Sequence, residues 1–131
     1  MKSKSYNLNW WVVTDIDGTL MDHNYNLDPA LPTIKWLKEL SIPVIPCTSK
    51  TASEVRDLRN KIGLKDPFIV ENGGAVYGNI SSSNEEFELI LGETYKELRS
   101  KLNLISLELG YSLKPLNDLS NIEISELTGL K

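Results

Sequence analysis

Residues 10–20 read Trp-Trp-Val-Val-Thr-Asp-Ile-Asp-Gly-Thr-Leu, an apolar run followed at once by two aspartates one position apart. A short, β-branched apolar run of this kind predicts a buried strand. Side chains that follow such a strand lie at the carboxyl edge of a sheet, where open α/β folds bind ligands. Asp15 and Asp17 are therefore placed for chemistry. Their charge needs a cation or a proton, because unpaired buried carboxylates are costly.

Three interpretations of this stretch compete. A calcium-binding loop would need Gly at its sixth position and Glu at its twelfth. Counted from Asp15, those positions hold Leu20 and Asn26, so this interpretation fails. A plain turn accounts for Asp and Gly but does not require two carboxylates at this spacing. The third interpretation is a metal-assisted phosphoryl-transfer site, in which an Asp carboxylate attacks phosphorus.

The composition narrows the class of protein. The chain has 131 residues, a length that fits one domain, with 40% hydrophobic and 24% charged residues, as in soluble globular proteins. Its net charge of −4 argues against a nucleic-acid-binding protein, which would show a basic patch. The single cysteine, Cys47, suits a reducing compartment, so a cytoplasmic location is expected. No apolar run is long enough to span a membrane, and we expect no membrane partner.

The order of predicted elements indicates the fold class. Strands and helices alternate, with strands at residues 10–14, 42–47 and 68–70 and helices at residues 29–40 and 51–63. This order predicts parallel strands joined by right-handed crossovers, which is half of a doubly wound α/β sheet. We expect Asp28 to cap the first helix, and Thr51 with Glu54 to form a capping box on the second. The three tryptophans are expected in the core.

Polar residues follow each predicted strand. Thr48-Ser49-Lys50 come after the second strand and Glu71-Asn72-Gly73-Gly74 after the third. Because parallel strands end at one edge, these segments should meet the two aspartates. A hydroxyl, an ammonium and the free N–H groups that begin the second helix all suit a phosphate dianion. The alternative is that Thr48 and Ser49 only begin the helix and Lys50 is solvated.

The pattern changes after Gly78. A strand-like run at residues 87–91 precedes a helix at residues 94–109 and a short helix between Ser120 and Gly129. This region holds no catalytic motif. We predict a core at residues 1–83 and the beginning of a cap domain at residues 84–131.

The pattern Asp-x-Asp-Gly-Thr-Leu at residues 15–20 resembles the first motif of the haloacid dehalogenase-like hydrolases. The resemblance implies a Rossmann-like core, the βαβαβ half of a parallel sheet, with the beginning of an α+β cap. It implies Asp15 as nucleophile and Asp17 as general acid and base. It also implies Mg²⁺ bound by the Asp15 carboxylate and the Asp17 backbone carbonyl. The residues expected to contact phosphate or substrate are Gly18, Thr19, Thr48, Ser49, Lys50 and Asn72.

Within that superfamily, residues 43–51 and 67–77 resemble the mannosyl-3-phosphoglycerate phosphatase family. Thr48-Ser49-Lys50 stands where more general sugar-phosphate phosphatases carry Thr-Gly-Arg. The resemblance implies a small phosphorylated sugar-glycerate substrate. Phosphate would be removed from 2-(mannosyl)-3-phosphoglycerate through an aspartyl-phosphate, giving mannosylglycerate. The alternatives are glucosyl-3-phosphoglycerate, a broader Cof-type range of sugar phosphates, or a non-catalytic binding partner.

Two features of the superfamily have no counterpart in these 131 residues. One is a later Lys that neutralises the aspartyl-phosphate, and the other is a later Gly-Asp-x-x-Asn-Asp motif that completes the metal site. We therefore expect the chain to be truncated and poorly active by itself. A complementary C-terminal chain is then a candidate partner.

Overall fold

The computed structural model describes residues 10–80 and 85–129, which form an α/β protein. The chain divides into two compact units, the first ending at Gly92 and the second beginning at Glu93. The predicted boundary between residues 83 and 84 instead falls between two paired strands of the first unit. That the second unit is part of a cap stays a prediction.

The first unit contains five strands and two helices within its described residues. They are β1 (Val12–Thr14), α1 (Leu31–Glu39), β2 (Val44–Pro46), α2 (Ala52–Ile62), β3 (Phe68–Val70), β4 (Ala75–Asn79) and β5 (Glu86–Ile90). Strands β1 and β2 are parallel, with Val13 opposite Ile45. A parallel bridge between Cys47 and Ile69 continues the arrangement to β3. The predicted α/β class and the parallel β-α-β-α-β order are thus confirmed.

The end of this unit differs from the predicted pattern. Strand β4 pairs antiparallel with β3, and β5 pairs antiparallel with β4. The strand-like run at residues 87–91 is β5, shifted by one residue, whereas β4 was not predicted. Gly73, with φ +93°, allows the tight turn between β3 and β4.

The two helices begin differently. Helix α1 starts at Leu31 after Ala30, which makes no side-chain cap hydrogen bond, so the prediction of Asp28 as cap was wrong. Pro32 lies in the first turn, where the missing N–H is not needed. Helix α2 begins with the predicted capping box of Thr51 and Glu54 and ends at Gly63, whose φ is +66°.

Burial alternates along the strands. Val44 packs in a cluster with Ile34 of α1, and Phe68 packs with Val55 of α2. Both helices therefore cover the same face of the sheet.

The tryptophans are a correction to the sequence prediction. Trp10, Trp11 and Trp36 are all more than half exposed. Trp36 lies two positions after the buried Ile34, which is about 200° around the helix and hence on the outer side of α1. Trp10 and Trp11 precede β1, outside both core clusters of the first unit.

Two arginines connect α2 to the strands beside it. Arg56 makes a bidentate ion pair with Glu86 of β5, its shortest contact being 2.6 Å. Arg59 is buried, donates to the Asp66 carbonyl at 2.7 Å and stacks 4.3 Å from the centre of the Phe68 ring. Burial lowers the pKa of Arg59 from its usual value.

The second unit contains the two predicted helices, α3 (Tyr95–Leu109) and α4 (Asn121–Thr128). Each begins with a capping box, at Thr94 and Ser120, and each ends at a left-handed glycine. None of the residues described between Glu93 and Gly129 is buried. Within the described part of the chain, no helix has the length and apolar character needed to cross a membrane.

Candidate functional site

The loop after β1 is anchored by one side chain and presents two others. Ile16 is fully buried in the core cluster that includes Val55 and Phe68. Its neighbours Asp15 and Asp17 are exposed. The apolar residue between the aspartates therefore fixes the loop to the core, while both carboxylates face solvent beyond the end of the strand.

Backbone geometry closes this loop. The Ile16 carbonyl accepts hydrogen bonds from the Met21 N–H at 2.8 Å and the Thr19 N–H at 3.3 Å. Gly18 has φ +71°, and a Cβ there would meet no atom within 4 Å, so glycine is needed for its conformation and not for space. The Ile16 N–H donates to Asp15 Oδ1 at 2.7 Å, which orients that carboxylate.

Lys50 makes the closest side-chain contact across the site. Its Nζ lies 3.1 Å from Asp17 Oδ2 and 3.9 Å from Glu54 Oε1. The Lys50 side chain is 19% exposed and that of Asp17 42% exposed. The Lys50 ammonium group, which was expected from the sequence to bind phosphate, thus contacts Asp17, the proposed general acid and base.

The ends of β2 and β3 are joined by backbone hydrogen bonds. The Thr48 side chain is buried, and its hydroxyl accepts from the Lys50 N–H at 3.2 Å. The Asn72 N–H donates to the Thr48 carbonyl, and the Glu71 N–H to the Lys50 carbonyl, each at 3.1 Å. The segments that follow β1, β2 and β3 therefore meet at one edge, as the topology predicted, with Ser49 exposed among them.

Glu71 lies in the segment that the sequence placed at this edge, but its backbone conformation was not predicted. It and Asn72 have φ of +52° and +56°, in the left-handed region. Asn adopts this region readily, whereas for Glu it costs about 1–2 kcal/mol. No local sequence signal marks a glutamate for this conformation, because it results from the two hydrogen bonds to the segment after β2.

The start of α2 offers fewer free N–H groups than the sequence suggested. The Thr51 N–H donates to Glu54 Oε2 at 2.9 Å, and the Glu54 N–H reaches the Thr51 hydroxyl at 3.5 Å. The hydrogen bond from the Thr51 side chain lowers the pKa of Glu54. Only the amides of Ala52 and Ser53 lie outside this box, so a bound anion would use those.

These residues supply some of the ligands that a metal ion would need. The Asp15 carboxylate and the Asp17 carbonyl are hard oxygen donors of the kind that Mg²⁺ prefers. Among the described residues, however, no group of three or more His, Cys, Asp or Glu side chains could hold a metal ion. The two aspartates thus fit a Mg²⁺ ion that has further ligands from another source.

Comparison with known proteins identifies the family. A model of the haloacid dehalogenase-like hydrolases matches residues 12–107. The chain belongs to this family. The matched region includes the aspartate loop, the segments after β2 and β3, and most of α3.

Two curated relatives are named glucosyl-3-phosphoglycerate/mannosyl-3-phosphoglycerate phosphatase. The one from Persephonella marina is 36% identical over 129 residues, covering 91% of this chain and 47% of the relative. The one from Methanococcoides burtonii is 36% identical over 132 residues, covering 91% of this chain and 48% of the relative. The chain thus spans about half the length of these relatives and matches their N-terminal part.

Solved structures support the fold. A hypothetical protein from Geobacillus kaustophilus has a TM-score of 0.55 at 23% identity, covering 77% of this chain and 37% of its own. A haloacid dehalogenase-like hydrolase from Bacillus subtilis also has a TM-score of 0.55, at 18% identity, covering 75% of this chain and 33% of its own. At these identities the likeness concerns the fold alone.

Proposed function

We propose that this chain carries the nucleophile-bearing half of a phosphoric monoester hydrolase acting on mannosyl-3-phosphoglycerate and glucosyl-3-phosphoglycerate. The observation that carries the proposal is the aspartate loop, whose Asp17 carboxylate lies 3.1 Å from the Lys50 ammonium at the carboxyl edge of the sheet. The names of the two relatives support the substrate class.

The two aspartates have different roles in the proposed reaction. An oxygen of the Asp15 carboxylate forms a bond to phosphorus while the bond from phosphorus to the glycerate oxygen breaks. Asp17 gives its proton to the departing oxygen and is left as a carboxylate, the form that pairs with Lys50 at 3.1 Å. Asp17 then takes a proton from the water that attacks the aspartyl-phosphate, which releases phosphate and restores Asp15.

Positive charge and hydrogen-bond donors hold the phosphoryl group during both steps. Lys50 Nζ forms an ion pair with Asp17. A phosphoryl group that lies beside Asp17 would therefore also have an oxygen within reach of the Lys50 ammonium group. The Thr48 hydroxyl and the Asn72 side chain are proposed to donate to the other oxygens. Ser49, Gly18 and Thr19 line the approach. Fixed donors of this kind stabilise the transition state without reorganising.

Mg²⁺ is the proposed cofactor, bound by the Asp15 carboxylate and the Asp17 backbone carbonyl, and it would neutralise phosphate charge. We propose that the remaining ligands and the residues that recognise the sugar come from a C-terminal half like that of the relatives. The single cysteine, Cys47, accords with action in the cytoplasm.

The test joins residues 1–131 to the C-terminal half of the Persephonella marina relative and measures phosphate release from both substrates with Mg²⁺. Asp15→Asn should lower the rate by at least about 10⁴-fold, as removal of a nucleophile does. Asp57→Asn, an exposed aspartate on α2, is the matched control and should leave the rate unchanged.

Two results would contradict the proposal. One is substantial phosphatase activity in Asp15→Asn after mass spectrometry has excluded deamidation. The other is a folded chimera that cleaves neither substrate. Faster hydrolysis of simple hexose phosphates would indicate a broader sugar-phosphate phosphatase instead.

A further inference from the structure

The glutamate of the α2 capping box has its carboxylate fixed in place. Oε2 of Glu54 accepts from the Thr51 N–H at 2.9 Å and from the Thr51 hydroxyl at 2.7 Å. Two hydrogen bonds to one oxygen restrain the side chain, although Glu54 lies at the surface. The other oxygen, Oε1, takes no part in the box and is free to attract a cation.

Lys50 lies between this carboxylate and the aspartate loop. Its Nζ is 3.9 Å from Glu54 Oε1 and 3.1 Å from Asp17 Oδ2. The main chain of Lys50 is held as well, since its N–H donates to the Thr48 hydroxyl and its carbonyl accepts from the Glu71 N–H. A lysine side chain is a flexible four-carbon stem. Here it is restrained at both ends, by hydrogen bonds at the backbone and by two carboxylates at the ammonium group.

The capping box of α3 shows what is particular to that of α2. In α3, Glu97 Oε2 accepts from the Thr94 N–H at 2.8 Å and from the Thr94 hydroxyl at 2.6 Å, which is nearly the same geometry. The α3 box belongs to the second unit, which carries none of the residues assigned to the reaction. The α2 box does the same structural work, but its glutamate also contacts Lys50 of the candidate site.

We propose that Glu54 is a positioning residue for phosphoryl transfer, which acts by holding the Lys50 ammonium group beside Asp17. The inference rests on the proposed function, because that function places Lys50 at the phosphoryl group. Glu54 acts through Lys50 and not by contact with the substrate. An ammonium group held in this way is in position before the substrate arrives, so it stabilises transition-state charge without reorganising. The residues that begin α2 thus also order the site.

The strength of the contact between Glu54 and Lys50 sets the size of the effect. The Glu54 side chain is 54% exposed, so solvent screens its charge, and pairs of this kind shift an equilibrium by at most about fivefold. Because Thr51 already fixes Oε2, Glu54 loses little further side-chain freedom when the pair forms. We expect loss of the Glu54 charge to lower kcat about two- to fivefold, far less than the factor of about 10²–10³ for loss of Lys50 itself.

The experiment is a double-mutant cycle in the chimera with the C-terminal half of the Persephonella marina relative. Glu54→Gln keeps an oxygen that accepts from Thr51, as glutamine does in capping boxes, but it has no charge to attract Lys50. It should lower kcat about two- to fivefold in the unmodified chimera and have no further effect on kcat in Lys50→Met. Glu97→Gln, the matched control, makes the same change in the α3 box and should leave kcat unchanged.

NMR relaxation of the Lys50 side chain in residues 1–131 tests the positioning without the reaction. The order parameter at Lys50 Cε should fall in Glu54→Gln and stay unchanged in Glu97→Gln. An inactive chimera would refute the proposed function, and this order parameter would then decide by itself whether Glu54 holds Lys50.

Three results would overturn the inference. One is an unchanged order parameter in Glu54→Gln. Another is an equal loss of kcat in Glu97→Gln, which would show that the box acts only on helix stability. The third is a loss of kcat from Glu54→Gln that persists in Lys50→Met, because Glu54 would then act on the phosphoryl group without Lys50.

Discussion

Replacing Lys50 by methionine should separate the use of its ammonium group in catalysis from its use in stability. The ion pair to Asp17 spans 3.1 Å, but the Asp17 side chain is 42% exposed and its charge is screened by solvent. Loss of such a pair lowers the free energy of unfolding by at most about 1 kcal/mol. Methionine also keeps most of the packing of the Lys50 stem, whose side chain is only 19% exposed.

The effect on the reaction should be far larger. A preorganised group that stabilises developing charge in a transition state contributes about 10²–10³ in rate, equivalent to about 2.7–4 kcal/mol. We therefore expect Lys50→Met to lower phosphate release by this factor. Lys50→Arg should restore part of it, since the charge returns with a different shape.

The assay compares two quantities for each variant. Urea unfolding of the 131-residue chain gives stability, and phosphate release by the chimera gives kcat/KM. Lys38→Met is the matched control. Its Nζ donates to the Gly63 carbonyl at 2.8 Å, near the ends of α1 and α2 and hence at the opposite edge of the sheet. That variant should lose a fraction of a kcal/mol of stability and no activity.

Two outcomes would refute this reasoning. A rate within about threefold of the unmodified chimera, well under the factor above, would show that Lys50 is only a solvated residue at the start of a helix. A loss of several kcal/mol in unfolding free energy, matching the loss in rate, would show that the ion pair is structural.

Three further predictions concern Thr48, Glu54 and Phe68. Thr48→Val removes the acceptor of the Lys50 N–H, so it should lower the unfolding free energy by about 1 kcal/mol and weaken beryllofluoride binding; unchanged binding by calorimetry would leave Thr48 a purely structural residue. The hydrogen bond from Thr51 lowers the pKa of Glu54 below its ordinary 4.5. The contribution of the Glu54 carboxylate to stability is therefore fully present above that pH, and it is lost as the pH falls through the lowered pKa. In Glu54→Gln, the free energy of unfolding measured with urea should accordingly fall less steeply between pH 7 and about pH 3. An identical dependence on pH in both proteins would contradict the role given to Glu54. Phe68→Ala should lower the unfolding free energy by about 3–5 kcal/mol, because the ring is fully buried and stacks on Tyr77 with centroids 5.4 Å apart; a loss under about 1 kcal/mol would mean that the site collapses to fill the cavity.

Local signals in the sequence predicted much of this fold. The apolar run before Asp15 and the capping box at Thr51 are short-range patterns, and the structure confirms the strand and the helix that they indicate. Glycine is also a short-range signal, and it predicted the ends of α2, α3 and α4. Convergence of three loops at one edge followed from the order of elements, since parallel strands leave no other arrangement.

What the sequence could not supply depends on packing. The spacing of Trp36 from Ile34 could have placed Trp36 on the outer side of α1, whereas β4 forms by pairing with β3, a partner that no local signal identifies. The contact between Lys50 and Asp17 joins side chains from two loops, and its geometry is set by the core beneath both. The left-handed backbone of Glu71 likewise follows from its hydrogen bond to Lys50 and from no property of glutamate.

The left-handed backbone of Glu71 has a consequence for the dynamics of this loop. Glu71 and Asn72 remain left-handed while their N–H groups are held by the carbonyls of Lys50 and Thr48, and the strain of about 1–2 kcal/mol at Glu71 favours release. Once one of these hydrogen bonds breaks, we expect the loop to relax and the other hydrogen bond to weaken, so that the end of β3 and the segment after β2 open together. The two strand ends would then hold the residues proposed to bind the phosphoryl group together or release them together.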